Sequence, residues 1–277
     1  MRATPAPRLP ILMYHRIVPA SCRSGVSPEE APYALDEDVF LKHLDLLGRL
    51  GFGPVTLERA LERWSDLVFW GDHPIVLSFD DGDSTQGDVA WRHLAARDWP
   101  GTFFVTSNRI DREDGIPSQR LREMRAAGME IGTHGATHAL LTTLTDAELE
   151  GEMRGSRVAL GGVLGSPPAV WSAPGGRVDA RVLDAADAAG YRAGASSAYG
   201  FNTRPTPPKL FERLTIRRGT DAAGLEGLLC PSRSAFALGC ARAWAVRTAQ
   251  RTVGDDRYLR LYESFARLTS RVRRVSA

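Results

Sequence analysis

The stretch Pro74-Ile75-Val76-Leu77-Ser78-Phe79-Asp80-Asp81-Gly82 decides how the rest of the chain is read. Pro74 to Leu77 is a short apolar run of the kind that forms a buried strand. It ends in two carboxylates and a glycine. Along a continuing strand, neighbouring side chains point to opposite faces, so Asp80 and Asp81 would share no site. At a strand end, with Gly82 free to let the chain turn, both can be aimed at one place. A second short strand, Met129-Glu130-Ile131-Gly132, leads to His134-Gly135-Ala136-Thr137-His138. The four-residue spacing predicts a helical turn with both imidazoles on one face, roughly 5–6 Å apart at Cβ. Two histidines and one carboxylate, with a position left open for water, form the ligand set of a catalytic zinc site. The other aspartate is then free to act as a base. Together the two segments describe a metal hydrolase.

The same alternation of strand and helix continues along the chain. Strands are predicted over 9–14, 75–79, 102–106, 129–133, 169–173, 191–196 and 211–217. Amphipathic helices are predicted over 38–50, 57–64, 86–97, 118–127, 146–164 and 180–189, several stopping at a glycine such as Gly128 or Gly190. Strict β-α alternation implies a parallel sheet with right-handed crossovers. Seven strands without a G-x-G-x-x-G turn favour a distorted (β/α)7-type barrel over a doubly wound sheet. His15, Asp80, Asp81, His134 and Pro174-Gly175-Gly176 all follow the C-terminal ends of strands, the rim where such barrels build their active sites.

Composition narrows the partners. The 277 residues are 43% hydrophobic and 25% charged, with a formal charge of +2, which gives no case for nucleic acid. Cys22, Cys230 and Cys240 form no C-x-x-C pair and, being odd in number, no disulfide framework. With no signal-like start and no run of about 18 apolar residues, a cytoplasmic location is expected. Residues 1–220 are expected to form the barrel and 221–277 a helical C-terminal extension. From Ala241 onward nine arginines face three acidic residues, a local net of +6. The plain reading is a helix docked on the barrel with its arginines solvated. The sharper one is a peripheral contact with an anionic membrane or with glycan-synthesis machinery.

These motifs resemble those of the polysaccharide deacetylases of the NodB-homology type, carbohydrate esterase family four. Ser78-Phe79-Asp80-Asp81-Gly82 is similar to their first motif and His134-Gly135-Ala136-Thr137-His138 to their second. Gly101-Thr102-Phe103-Phe104-Val105 looks like the strand between them, and Val170 to Gly176 is similar to the third motif, with Ala189-Gly190-Tyr191 following. The resemblance runs from about Leu9 to Thr220. It implies that Asp80 is the general base and that Asp81, His134 and His138 hold a divalent metal, zinc being the best match. Leu12-Met13-Tyr14-His15 resembles the start of a branch acting on exopolysaccharides, in which that histidine is the general acid. No histidine follows His138, so His15 is expected to protonate the leaving amine. One departure stands out. The third motif often carries an arginine that braces the catalytic aspartate, but Ser172-Ala173 stand here, leaving Arg177 or Arg213 to replace it.

The expected reaction is hydrolysis of N-acetyl groups on amino sugars of a polysaccharide, oligosaccharide or lipid-linked precursor. Tyr14, Trp171, Pro174 and Gly175 are the candidate substrate contacts. Two rivals keep the same site: an O-acetyl esterase or small-amide hydrolase, and an inactive metal-holding glycan-binding subunit. The second carboxylate, Asp80, argues against the last, because a structural metal has no use for it.

Overall fold

The computed structural model describes residues 7–20, 26, 30–204 and 207–253. Nine strands form one sheet: β1 (Ile11–Tyr14), β2 (Gly53–Val55), β3 (Pro74–Phe79), β4 (Thr102–Val105), β5 (Glu130–Thr133), β6 (Val170–Ser172), β7 (Ala193–Ala195), β8 (Leu210–Phe211) and β9 (Leu214–Thr215). Their order is β8-β7-β6-β5-β4-β3-β1-β9, with β2 paired to the start of β3, and every pairing is parallel. The two ends of this order, β8 and β9, are separated in the chain only by Glu212 and Arg213. Three Cα steps of about 3.8 Å keep Phe211 and Leu214 within roughly 11 Å. The sheet therefore curls into a barrel whose seam is Glu212-Arg213. This is the expected (β/α)7-type architecture with one change: the predicted strand over 211–217 is split in two, one half pairing with each edge. Strand β2 was not anticipated, its three residues being too few to show a pattern.

Around the sheet lie α1 (Glu37–Arg49), α2 (Leu57–Glu62), α3 (Leu67–Gly71), α4 (Trp91–Ala95), α5 (Ser118–Ala126), α6 (Asp146–Glu150), α7 (Ser156–Leu164), α8 (Ala180–Ala189), α9 (Ala222–Leu229) and α10 (Arg233–Val253). Two predicted helices contain a π-helical turn, Gln86–Ala90 leading into α4 and Gly151–Gly155 joining α6 to α7. Helix α9 buries Leu225 and Leu229 in the same core as Leu44 and Leu47 of α1, while most of α10 is exposed. Among the described residues no helix is long and apolar enough to cross a membrane.

Strand parity organises the core. Leu12, Tyr14, Leu77, Phe79, Phe103 and Ile131 face outward under the helices. Ile11, Val76, Phe104, Val170, Ala195 and Phe211 face inward with Trp64, Phe69 and Trp70 of the α2–α3 region. Burying a side chain of Leu or Phe size contributes about 1.5–3 kcal/mol, so both layers hold the sheet in this curl. Gly132 makes room for Phe104, since a Cβ there would lie 2.7 Å from its ring. Moving up the same inward columns, side chains become polar: Ser78 and Asp80, His134, Ser172, Arg213. The site is the polar continuation of the barrel interior at the C-terminal rim.

Candidate active site

The chain turns at Asp81 itself. Its φ is +82° and that of Gly82 is +74°, both in the left-handed region. A non-glycine residue there stores strain of order 1 kcal/mol. The effect is to stop the alternation, so that Asp80 and Asp81 both reach the cleft above β3. Gly82 has no alternative, because a Cβ would meet Val105 Cγ1 at 2.8 Å.

Asp81, His134 and His138 offer one ligand atom each, all within 4.8 Å of one another. Asp81 Oδ1 lies 3.4 Å from His134 Nε2 and 3.2 Å from His138 Nε2. Donors at about 2.0–2.1 Å from one tetrahedral zinc stand roughly 3.3 Å apart, so the two spacings from Asp81 match such an ion. The far side of His134 is occupied: its Nδ1 lies 3.1 Å from Ser172 O and 2.5 Å from Ser172 Oγ. An Nδ1–H donated to the carbonyl leaves the Nε2 lone pair facing Asp81, the arrangement a metal-ligating imidazole needs.

The two histidines do not sit on a helical turn as their spacing predicted. They lie in an irregular loop in which Gly135 (φ +70°) and His138 (φ +67°) are left-handed. Glu152, from the π-helical turn, replaces the missing helical hydrogen bonds. Its Oε2 accepts from Ala136 N at 2.6 Å and Thr137 N at 3.0 Å, and its Oε1 accepts from Thr137 Oγ1 at 2.6 Å. The rings still face each other, 5.1 Å between centroids.

Asp80 is held differently. Its two oxygens accept from Arg213 Nη1 at 2.7 Å and Nη2 at 2.6 Å, a bidentate fork. Both residues are buried, Asp80 at 2% exposure and Arg213 at 0%. Burial works against the Asp80 charge, but the Arg213 guanidinium together with His134 and His15 outweighs it and holds the carboxyl below the usual carboxylate range. Of the two arginines the sequence left open, Arg213 is the brace, and it reaches Asp80 from the barrel seam.

His15 continues the inward column of β1 and lines the same cleft, of about 720 Å³, with Asp80, Asp81, His134 and His138. Its Nδ1 is buried and has no hydrogen-bond partner among the described residues. Burial lowers its pKa against the pull of Asp81 and Asp80, so a proton placed on it is readily given up.

Residues 71–194 match the family model described as polysaccharide deacetylase. Over that stretch, a little under half of the chain, the sequence is similar to polysaccharide deacetylases. A Bacillus subtilis (strain 168) protein named "Putative polysaccharide deacetylase YxkH" is 24% identical over 212 residues, covering 76% of this chain and 72% of that one. A chitin deacetylase of Colletotrichum lindemuthianum is 33% identical over 101 residues, 36% of this chain and 41% of that enzyme. Among solved structures, the Streptococcus pyogenes deacetylase PplD in complex with acetate shares the fold, with a TM-score of 0.71, 23% identity, and coverage of 81% of this chain and 99% of that one.

Two of the candidate substrate contacts fall in the core instead. Tyr14 is 1% exposed, packs on Phe40 and Phe79, and lies 3.2 Å from His43 Nδ1 through its hydroxyl. Trp171 is 2% exposed and packs against Gly194, where a Cβ would lie 2.4 Å from its indole. Parity is the cause, because each precedes an inward residue, His15 and Ser172, and must therefore face outward. Pro174 is buried beside the cleft and Gly175 lines it. Tyr33, which no motif marked, is an aromatic ring of the cleft wall, 4.7 Å from His15 between centroids. Gln86 and Glu152 were also missed, since each acts mainly on backbone groups of other segments.

Proposed function

We propose that this protein is a metal-dependent deacetylase that hydrolyses N-acetyl groups of amino sugars in a polysaccharide, oligosaccharide or lipid-linked glycan. The observation that carries the reading is a carboxylate paired with Arg213, next to a three-ligand cluster and in one cleft with an imidazole whose Nδ1 has no hydrogen-bond partner among the described residues. Asp81, His134 and His138 would hold a divalent metal, zinc by the donor set, which would supply Lewis-acid polarisation of the acetyl group and of the attacking water. Asp80 takes the proton from that water as its oxygen bonds to the acetyl carbon. His15 then gives a proton to the sugar nitrogen as the C–N bond breaks, releasing acetate and the free amine. Gly175 is a substrate-facing position. Helix α10 exposes Leu238 and Trp244, and with the arginines beyond it we assign this end to peripheral contact with an anionic membrane or glycan-synthesis machinery.

The deciding assay is acetate release from N-acetylglucosamine oligomers by the zinc-loaded protein, wild type and His15→Ala. Acetate release that stops on chelation and returns with zinc is expected. His15→Ala should cost at least about tenfold more on the amide than on an aryl acetate, whose leaving group needs no proton. Turnover of O-acetyl substrates alone makes the protein an esterase. Undiminished activity in metal-free protein removes the metal from the reaction.

A further inference from the structure

Gln86 is fully buried, yet it is neither a metal ligand nor a cleft residue. Its Nε2 donates to two carbonyls, His15 O at 3.2 Å and Asp80 O in a shorter contact. The β1–β3 register ends at Tyr14 and Phe79, followed by a bond from Asp80 N to Tyr14 O. The next residues of the two strands are the proposed acid and base, and the Gln86 amide joins them with its two protons. The adjacent Thr85 accepts from Ile17 N at 3.1 Å through its hydroxyl, which also donates to Asp83 Oδ1. The turn that follows the Asp80-Asp81-Gly82 motif thus grips residues 15–17 at two points. Gln86 Oε1 is buried without a partner among the described residues. Packing alone would favour an apolar residue of that size, because an unmatched buried acceptor is destabilising. The amide is accounted for by its two donors.

We propose that Gln86 is a positioning residue that fixes His15 relative to Asp80 across the β1–β3 strand ends. The proposal rests on the reading of His15 as acid and Asp80 as base. It places the spacing of the two proton-transfer groups under the control of the π-helical turn Gln86–Ala90, a distortion of the kind often found beside functional sites.

The test is a double-mutant cycle on the zinc-loaded full chain: wild type, His15→Ala, Gln86→Leu and the double variant, each assayed on an N-acetylglucosamine oligomer and on an aryl acetate. Gln86→Leu should lower kcat on the amide by about tenfold to a hundredfold, the usual penalty for small misplacement. KM and bound zinc should be unchanged, and the loss on the ester should be several times smaller. In the His15→Ala background, Gln86→Leu should add less than about threefold on the amide, because the group it positions is gone. Multiplicative losses, a change confined to KM, or loss of zinc would each overturn the proposal. A His15→Ala enzyme with normal amide turnover overturns the acid assignment itself, and this inference with it. Should the leucine variant fail to fold, Gln86→Met keeps the length of the side chain while removing the donors, and the same expectations apply.

Discussion

Replacing Arg213 with methionine tests the electrostatic heart of the site. Methionine roughly keeps the volume but removes every donor, leaving Asp80 Oδ1 and Oδ2, and Ser196 O at 2.7 Å from Arg213 Nε, without their partner. Each charge-assisted hydrogen bond is worth roughly 1.5–3 kcal/mol. Removing one member of a buried pair typically costs about 3–5 kcal/mol, much of it from stranding the other charge. Arg213→Met is therefore expected to lose about 3–5 kcal/mol in urea unfolding of the zinc-loaded protein, or very roughly 10 °C in Tm for a chain of this size. An exposed pair such as Lys209–Asp187 provides the contrast, and Lys209→Ala should leave the urea midpoint essentially unchanged. Asp80→Asn leaves the arginine charge unmatched in the same place. The double variant should thus recover at least about 2 kcal/mol relative to the sum of the single losses. Arg213→Lys should restore less than half of the loss, because an ammonium cannot serve both carboxylate oxygens and Ser196 O in that planar arrangement. Losses that add within about 0.5 kcal/mol would show that the fork contributes nothing specific, and the account of how Asp80 stays charged would have to be abandoned.

What was legible in the chain was what is local. Asp80, Asp81, His134 and His15 each follow a strand that can be read from a few apolar residues, and His138 follows His134 within one loop. The placing of Tyr14 and Trp171 was in principle legible too. Period-two alternation puts Tyr14 opposite His15 and Trp171 opposite Ser172, so a substrate role for both members of either pair conflicts with strand geometry. The brace on Asp80 could be narrowed to Arg177 or Arg213 but no further. Choosing between them requires knowing where the barrel closes, and that follows from the curl of the whole sheet. Gln86 and Glu152 lay beyond reach for a different reason. Both sit in segments whose pattern reads as ordinary amphipathic helix, and both act on backbone groups, which leave no trace in side-chain identity. The π-helical turns that aim them are a departure from regular period that hydrophobic spacing does not report.

Two further outcomes follow from groups around the rim and at the opposite end of the barrel. Glu152→Ala removes three hydrogen bonds from the loop between His134 and His138, and zinc affinity measured by chelator competition should fall about ten- to a hundredfold with the fold retained. Unchanged affinity would mean that the loop holds its shape without the carboxylate. At the start of β5, Glu130 accepts from Leu57 N at 2.8 Å, Glu58 N at 3.0 Å and Thr102 Oγ1 at 2.7 Å, tying α2 to the barrel floor. Burial nevertheless pushes its carboxyl up to about 7, with the neighbouring Glu58 charge adding to the rise and the three hydrogen bonds opposing it. Glu58 is itself paired with Arg192 at 2.6 Å. A carboxyl whose folded pKa lies above its unfolded value of 4.5 keeps its proton longer in the native state. Its contribution to stability is therefore full below about 4.5 and is lost as pH rises to about 7. About 2.5 pH units at about 1.4 kcal/mol each set an upper figure of about 3.5 kcal/mol for that loss. Glu130→Gln keeps one acceptor oxygen and cannot ionise, so urea unfolding of this variant should show a flatter stability profile between pH 4.5 and 7 than the wild type. Parallel profiles for the two proteins would mean that the hydrogen bonds prevail over burial and that Glu130 is already charged throughout that range.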